Sequence, residues 1–410
     1  MKMSSNQIRT VQAAKIILCA CLLVFSTGGV IVPKITASKP VVATLGAGVT
    51  TAPEPAVATL RASVTPAPEP AAATLRASAT SAPEPAVATL RASATSAPEP
   101  AVVTLRAGGT CAEIQQALDR LPESGGEVVL PAGTFEVSQP IVLQRDHQSL
   151  RGSGNATVLR LADGANCPVI ILGEPINNPQ RTVKNLRVSG LFIDGNRAGQ
   201  RRELWRLHGE GSEIRNNGIT AQDVSDSVVE QVTCAHCRSG GLVTTRGVRR
   251  LTVRDLTAFD NQFDGLACYQ TTDSLFTKLQ LHDNPGAGIS LDLDFNHNVI
   301  SNAVLTANNL GIFMRTSRAN QFCDVSIFNS RDYGVFMADV EKLTTRGRQS
   351  VPRSACVDNL FANLVASDCG GAAFRVNDPT CTNNIVVRAR FDGNARGEFS
   401  LAQPDLLKVQ

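Results

Sequence analysis

Gly265-Leu266-Ala267-Cys268-Tyr269-Gln270, Gly288-Ile289-Ser290-Leu291-Asp292-Leu293, Gly311-Ile312-Phe313-Met314-Arg315-Thr316 and Gly334-Val335-Phe336-Met337-Ala338-Asp339 are four versions of one hexapeptide, 23 residues apart. Further versions begin at Gly218, Gly241, Gly371 and Gly397. The interval of 37 before Gly371 exceeds the period by 14, which an insertion at residues 340–353 supplies. One residue past each Gly stand Leu242, Leu266, Ile289, Ile312 and Val335. Three past stand Thr244, Cys268, Leu291, Met314 and Met337. Side chains alternate across a strand, so both columns point inward. A third inward column is expected seven residues before Gly, at Ala258, Leu281, Val304 and Ile327. Asp260-Asn261, Asp283-Asn284 and Asn308-Asn309 mark polar turns.

A repeat of this length with no helical stretch is neither a leucine-rich repeat, whose fixed Leu pattern is missing, nor a propeller blade of ~40 residues or more. It predicts an all-β solenoid, each coil pairing with the next to build long parallel sheets around a narrow core. Residues 110–121 predict one capping helix before the coils. Thr110 and Glu113 have capping-box spacing, and Ile114, Ala117, Leu118 and Leu121 share a face. Short strands follow at 127–130, 133–137, 141–143 and 157–161.

Two other kinds of sequence precede this domain. Residues 16–32 (IILCACLLVFSTGGVIV) carry no charge and follow Lys2, Arg9 and Lys15. Residues 1–40 therefore read as a cleaved signal peptide or an uncleaved anchor, which would tie the protein to a membrane. Residues 41–106 hold a 15-residue repeat, APEPAVATLRASATS and its variants. Two prolines and one Leu per unit cannot bury a core, so this segment reads as a disordered stalk or a neutral spacer. The β-solenoid domain is assigned to 107–410.

The net charge of +3 excludes a generally basic nucleic-acid binder. The excess is also misplaced for one. Residues 1–106 hold nine basic and four acidic residues, and the remainder thirty and thirty-two. Nucleic acid is thus not an expected partner, and no feature specifies an oligomeric state.

The run from Cys111 to Gly173, and Leu191-Phe192-Ile193-Asp194-Gly195-Asn196 after it, resemble the pectin-lyase-like, right-handed parallel β-helix superfamily of pectate lyases and polygalacturonases. The resemblance covers nearly all of 107–410. It implies a right-handed parallel β-helix and a polysaccharide partner, but no single reaction. The polygalacturonase-like motifs are largely missing. Where that pattern carries paired Asp and Gly-His-Gly, this chain has Phe263-Asp264-Gly265 and Gly286-Ala287-Gly288. An inverting hydrolase needs an acid and a base carboxylate, so hydrolysis is not favoured.

Proton abstraction beside a uronate carboxylate needs less: a base, and a cation to hold the enolate. Four residues past successive glycines stand Tyr269, Asp292 and Arg315, a candidate catalytic column, with Arg375 assigned to the same column beyond them. As the resemblance implies for lyases, Arg315 or Tyr269 would be the base. Asp264, Asp292 and Asp294 would offer oxygen ligands to Ca²⁺. The plainer alternative is a sheet-stabilising Asp292–Arg315 pair among mixed polar residues. The loop 196–216 adds Arg201, Trp205 and Arg206, which suit an acidic sugar or a merely solvated loop. Tyr333 is a further ring for stacking. Cys234 and Cys237 form a C-x-x-C with no second half, which argues against zinc. Cys356 and Cys381 fall at matching places on adjacent coils and are a candidate disulfide in an exported chain.

The sequence therefore predicts an exported or surface-tethered β-helix acting on an extracellular, acidic polysaccharide. Lyase-type chemistry is preferred, and a non-catalytic glycan-binding solenoid is the alternative.

Overall fold

A computed structural model describes residues 101–201, 214–338 and 355–410. The signal segment, the repeats up to residue 100, Trp205, Arg206 and the 340–353 insertion lie outside the described residues.

Helix α1, Cys111–Arg120, opens the domain. The Thr110 hydroxyl accepts the Glu113 N–H at 3.2 Å, and the Glu113 carboxylate accepts the Thr110 N–H at 2.7 Å, closing the expected capping box. Ile114, Ala117, Leu118 and Leu121 are buried, as their spacing requires. Arg145 closes the other end by donating to the carbonyls of Leu118, Asp119 and Leu121 at 2.8, 3.1 and 2.9 Å.

One boundary moves. Ala101–Thr104, assigned to the stalk, form a strand paired in parallel with Gly126–Val129. The run lies just past Pro100, holds two β-branched valines and keeps every N–H, so it can extend a sheet that the prolines before it could not.

Among the described residues the coils build three parallel sheets. The long sheet runs twelve strands in file from Ala101–Thr104 to Leu407–Val409, with Gly133–Val137 and Arg390–Asp392 paired alongside. A ten-stranded sheet runs from Ile141–Leu143 to Phe399–Leu401 and contains the glycine hexapeptides. A narrow sheet stacks six two-residue strands, from Val183–Lys184 to Ser317–Arg318. The first two inward columns are fully buried, from Leu242 and Thr244 to Val335 and Met337.

The third column needs correction. Leu281 pairs with Leu305, not Val304; Leu305 is buried and Val304 is 46% exposed. Each long strand here carries a left-handed residue at its middle, Asn302 at φ 51° in this one. The ladder skips it, and alternation restarts with Ala303 and Leu305 inward. The turn after Leu305 is also one residue shorter than its neighbours. The preceding turn is one longer, with Leu293 and Asp294 between Asp292 and Phe295 where Gln270 alone separates Tyr269 from Thr271. The two changes cancel in the glycine spacing and were invisible there.

The polar turns turn inward at their asparagines. Asn261, Asn284 and Asn308 are fully buried and stacked. Asn284 donates its N–H to Asn308 Oδ1 at 3.0 Å and its amide to Ala258 O at 3.1 Å. Asn298, Asn320, Asn359 and Asn384 repeat the arrangement along a second corner. Each amide pairs turn backbone that burial would otherwise leave unpaired.

Candidate functional site

The ten-stranded sheet presents its outer face between two edges, and the predicted residues divide between them. Tyr269 and Asp292 end two successive strands in register with each other, and Arg315 directly follows Met314, the last residue of the third. The column exists, but its members are less open than an outward position suggests. Asp292 is 2% and Arg315 8% exposed, while Tyr269 is half-buried. Arg315 Nε donates to Asp292 Oδ2 at 2.9 Å, and the neighbouring guanidinium nitrogen reaches the same oxygen. Asp292 Oδ1 accepts the Leu293 N–H at 2.7 Å and the Thr316 hydroxyl at 2.8 Å. Four protein donors thus fill the four lone-pair positions of this carboxylate. The extra residue of the turn sits beside it. Leu293 and Asp294 both hold positive φ, 52° and 69°. That conformation costs of order 1–3 kcal/mol for a residue such as leucine.

Asp264 lies at the opposite edge, five residues ahead of Tyr269 and about 16 Å away along the strand. It is half-buried at the turn that enters the sheet. Its Oδ1 accepts the Ala287 N–H at 2.7 Å. A Cβ on Gly286 would stand 2.5 Å from that oxygen, so the carboxyl is seated where only glycine leaves room. Burial pushes its pKa up to about 6, with the Ala287 N–H and the Arg215 charge pulling the other way. The Arg215 guanidinium rests over the adjacent Phe263 ring, 4.8 Å from its centre.

Among the described residues no three acidic, His or Cys side chains converge where a metal could sit. Asp264, at one edge of the sheet, and Asp292 and the exposed Asp294, at the other, do not meet as one ligand set among the described residues.

Arg375 changes column. Phe336 pairs with Arg375, so Arg375 lies in the outward column of Phe313 and Phe336, two positions from the one assigned. The insertion shifted the register: Ala373, not Gly371, is the equivalent of Gly334. In its true place Arg375 lies over the Tyr333 ring at 4.9 Å and donates to the Tyr333 hydroxyl at 2.7 Å. Arg396 donates to the same hydroxyl at 3.2 Å. Sequence reasoning missed Arg396, because it lies in a turn beyond the shifted register. Arg201 is exposed and follows Gln200 in a turn on the Asp264 side of the sheet.

Residues 189–350 match the family described as "Right handed beta helix region". The domain is a right-handed parallel β-helix. By sequence, the β-helix is 29% identical over 188 residues to mannuronan C5-epimerase AlgE1 of Azotobacter vinelandii, covering 43% of this chain and 13% of that protein. It is 28% identical over 190 residues to AlgE4 of the same organism, covering 44% and 33%. The chain thus spans a third or less of the length of these relatives. Among solved structures it resembles an exopolygalacturonase from Thermotoga maritima (TM-score 0.48, 11% identity, 75% of this chain and 92% of that one). It also resembles the AlgE6 A-module of Azotobacter vinelandii (TM-score 0.43, 15% identity, 73% and 93%).

Proposed function

We propose that this β-helix acts outside the cell on an acidic polysaccharide, by moving the proton beside a uronate carboxylate. The observation that carries the reading is Asp264: a carboxyl at the turn entering the ten-stranded sheet, seated against Gly286 with its Oδ1 held by the Ala287 N–H, where burial raises its pKa to about 6. A base with that pKa is largely ionised at neutral pH yet still accepts a proton readily. Its Oδ1 is held by the Ala287 N–H, which fixes the carboxylate's orientation. Arg215 supplies positive charge beside it for the charge that develops on the substrate. Proton abstraction leads to elimination or to return of the proton on the other face, and the mannuronan epimerases related by sequence make the second a natural outcome to look for. The Tyr269–Asp292–Arg315 column is the competing centre. The uncharged N-terminal segment supports export, with the protein held at a membrane if it is not cleaved.

A second reading, glycan binding without turnover, is favoured by the four donors that occupy Asp292.

The test incubates the full-length chain with polymannuronate in D₂O, with and without EDTA. Exchange at C5 is followed by NMR and unsaturated ends by absorbance. Asp264→Asn is expected to lower either rate by about 10²–10⁴-fold, with Tyr269→Phe near wild type. Loss in Tyr269→Phe alone moves the centre to the other edge. Full activity in both variants would sink both assignments, and binding without turnover would establish the second reading.

A further inference from the structure

The strand Phe374–Val376 and the turn before Phe399–Leu401 bring two guanidinium groups onto the phenol of Tyr333, which stands in the turn before Val335–Met337. Tyr333 is 6% exposed, its ring packed on Gly371, where a Cβ would stand 2.6 Å from the ring edge. Arg375 and Arg396 both donate to its hydroxyl. Arg375 is fixed further by Asn377 Oδ1 at 2.7 Å and by the Tyr333 and Phe336 rings beneath it. Among the described residues neither arginine has an acidic side chain at ion-pair distance, unlike Arg151, Arg160, Arg250 and Arg315, each of which holds a carboxylate. Arg375 Nε is buried and without a hydrogen-bond partner among those residues. Asp332 feels both charges: burial raises its pKa while Arg396 and Arg375 pull it down.

Two like charges held on a shared acceptor repel each other, and a preformed pair of planar donors suits one bidentate anion. We propose that Tyr333, Arg375 and Arg396 form a carboxylate-binding subsite for one uronate residue of the polymer. The Phe313 and Phe336 rings, 5.9 Å apart, carry the neighbouring sugar faces. This deepens the proposed function and rests on its acidic substrate. Tyr333, Arg375 and Arg396 stand three, four and five coils along the axis from Asp264, about 14–24 Å at one inter-strand spacing per coil. The subsite therefore binds a different residue of the polymer from the one that reacts, and sets its register rather than its chemistry.

Calorimetry of the full-length chain with mannuronate oligomers and with neutral mannose oligomers of equal length, at low and high salt, tests the subsite. Wild type is expected to prefer the mannuronate oligomers. The double variant R375Q/R396Q should lose affinity for them by about tenfold or more and show a flatter salt dependence. Affinity for the neutral oligomers should be unchanged. Because Arg396 is exposed, Arg396→Gln alone leaves the core untouched and should weaken binding by about threefold or more even if the double variant folds poorly. Wild-type affinity for mannuronate oligomers in these variants would overturn the subsite and leave the acidic substrate standing. Failure of the wild type itself to prefer them would overturn the acidic substrate, and the subsite with it.

Discussion

Asp264 shows what one carboxyl gains and costs by its seat against Gly286. Its folded pKa, about 6, lies above the ordinary aspartate value of 3.8. Between those values the folded state binds more protons than the unfolded chain, so this group's stabilising effect is complete below about 3.8 and is lost as pH rises through about 6. An Asp264→Asn variant carries no such dependence. Its melting temperature should gain on wild type from pH 4 to pH 6.5 and then hold a constant lead, worth up to about 3 kcal/mol. A difference that is flat with pH would show that the Gly286 seat does not raise the pKa of Asp264. Asp264 was legible in the sequence as a lone acidic residue before a repeat glycine. Its tuning was not, because that depends on a glycine and an N–H from the next coil. Asp292 shows the reverse: the sequence placed it correctly beside Arg315, but its partners Leu293 and Thr316 come from a lengthened turn and a neighbouring coil.

At the scale of a strand, alternation is reliable only up to the left-handed residue in its middle. Val304 and Leu305 are the sharpest case. They are adjacent and both apolar; counting back from Gly311 selects Val304, and only Leu305 is buried. Leu305→Ala should cost about 2–5 kcal/mol, as for a buried large-to-small change. Val304→Ala should stay within about 0.5 kcal/mol. Thermal or urea unfolding of the two variants checks the register, and equal losses would contradict it. The insertion before Gly371 moved Arg375 by two positions. Glycine spacing reports the sum of two turn lengths, so compensating changes leave no trace in it, and an insertion shifts whatever follows. Cys356 and Cys381 survive this test. Both are buried, and their thiols are hydrogen-bonded to each other on adjacent coils, a placement that oxidation on export could exploit.

For the whole molecule, a solenoid has two open ends, and each exposes unpaired strand edges. Here the first end is closed by Ala101–Thr104 on the long sheet and by helix α1, which covers the core beneath Gly126–Val129 and Ile141–Leu143. A chain starting at residue 122 should expose Leu130, Val137 and Ile141, and should elute as oligomers or aggregates in size-exclusion chromatography with light scattering. A monodisperse monomer would show the cap to be dispensable.

The sequence alone determined the coil, because burial of alternate side chains repeats with the chain itself and needs no knowledge of what lies opposite. It likewise determined the capping helix, whose signals are contained in a dozen neighbouring residues, and the candidacy of Asp264, Tyr269, Asp292 and Arg315. Only the tertiary structure decided which candidates share an edge. Contacts between coils join residues 22 or more positions apart, 63 for Arg396 and Tyr333, and a change of one residue in any turn between them decides whether two side chains meet. That is why the Asp292–Arg315 pair could be read in advance, and the meeting of Arg375 and Arg396 on Tyr333 could not.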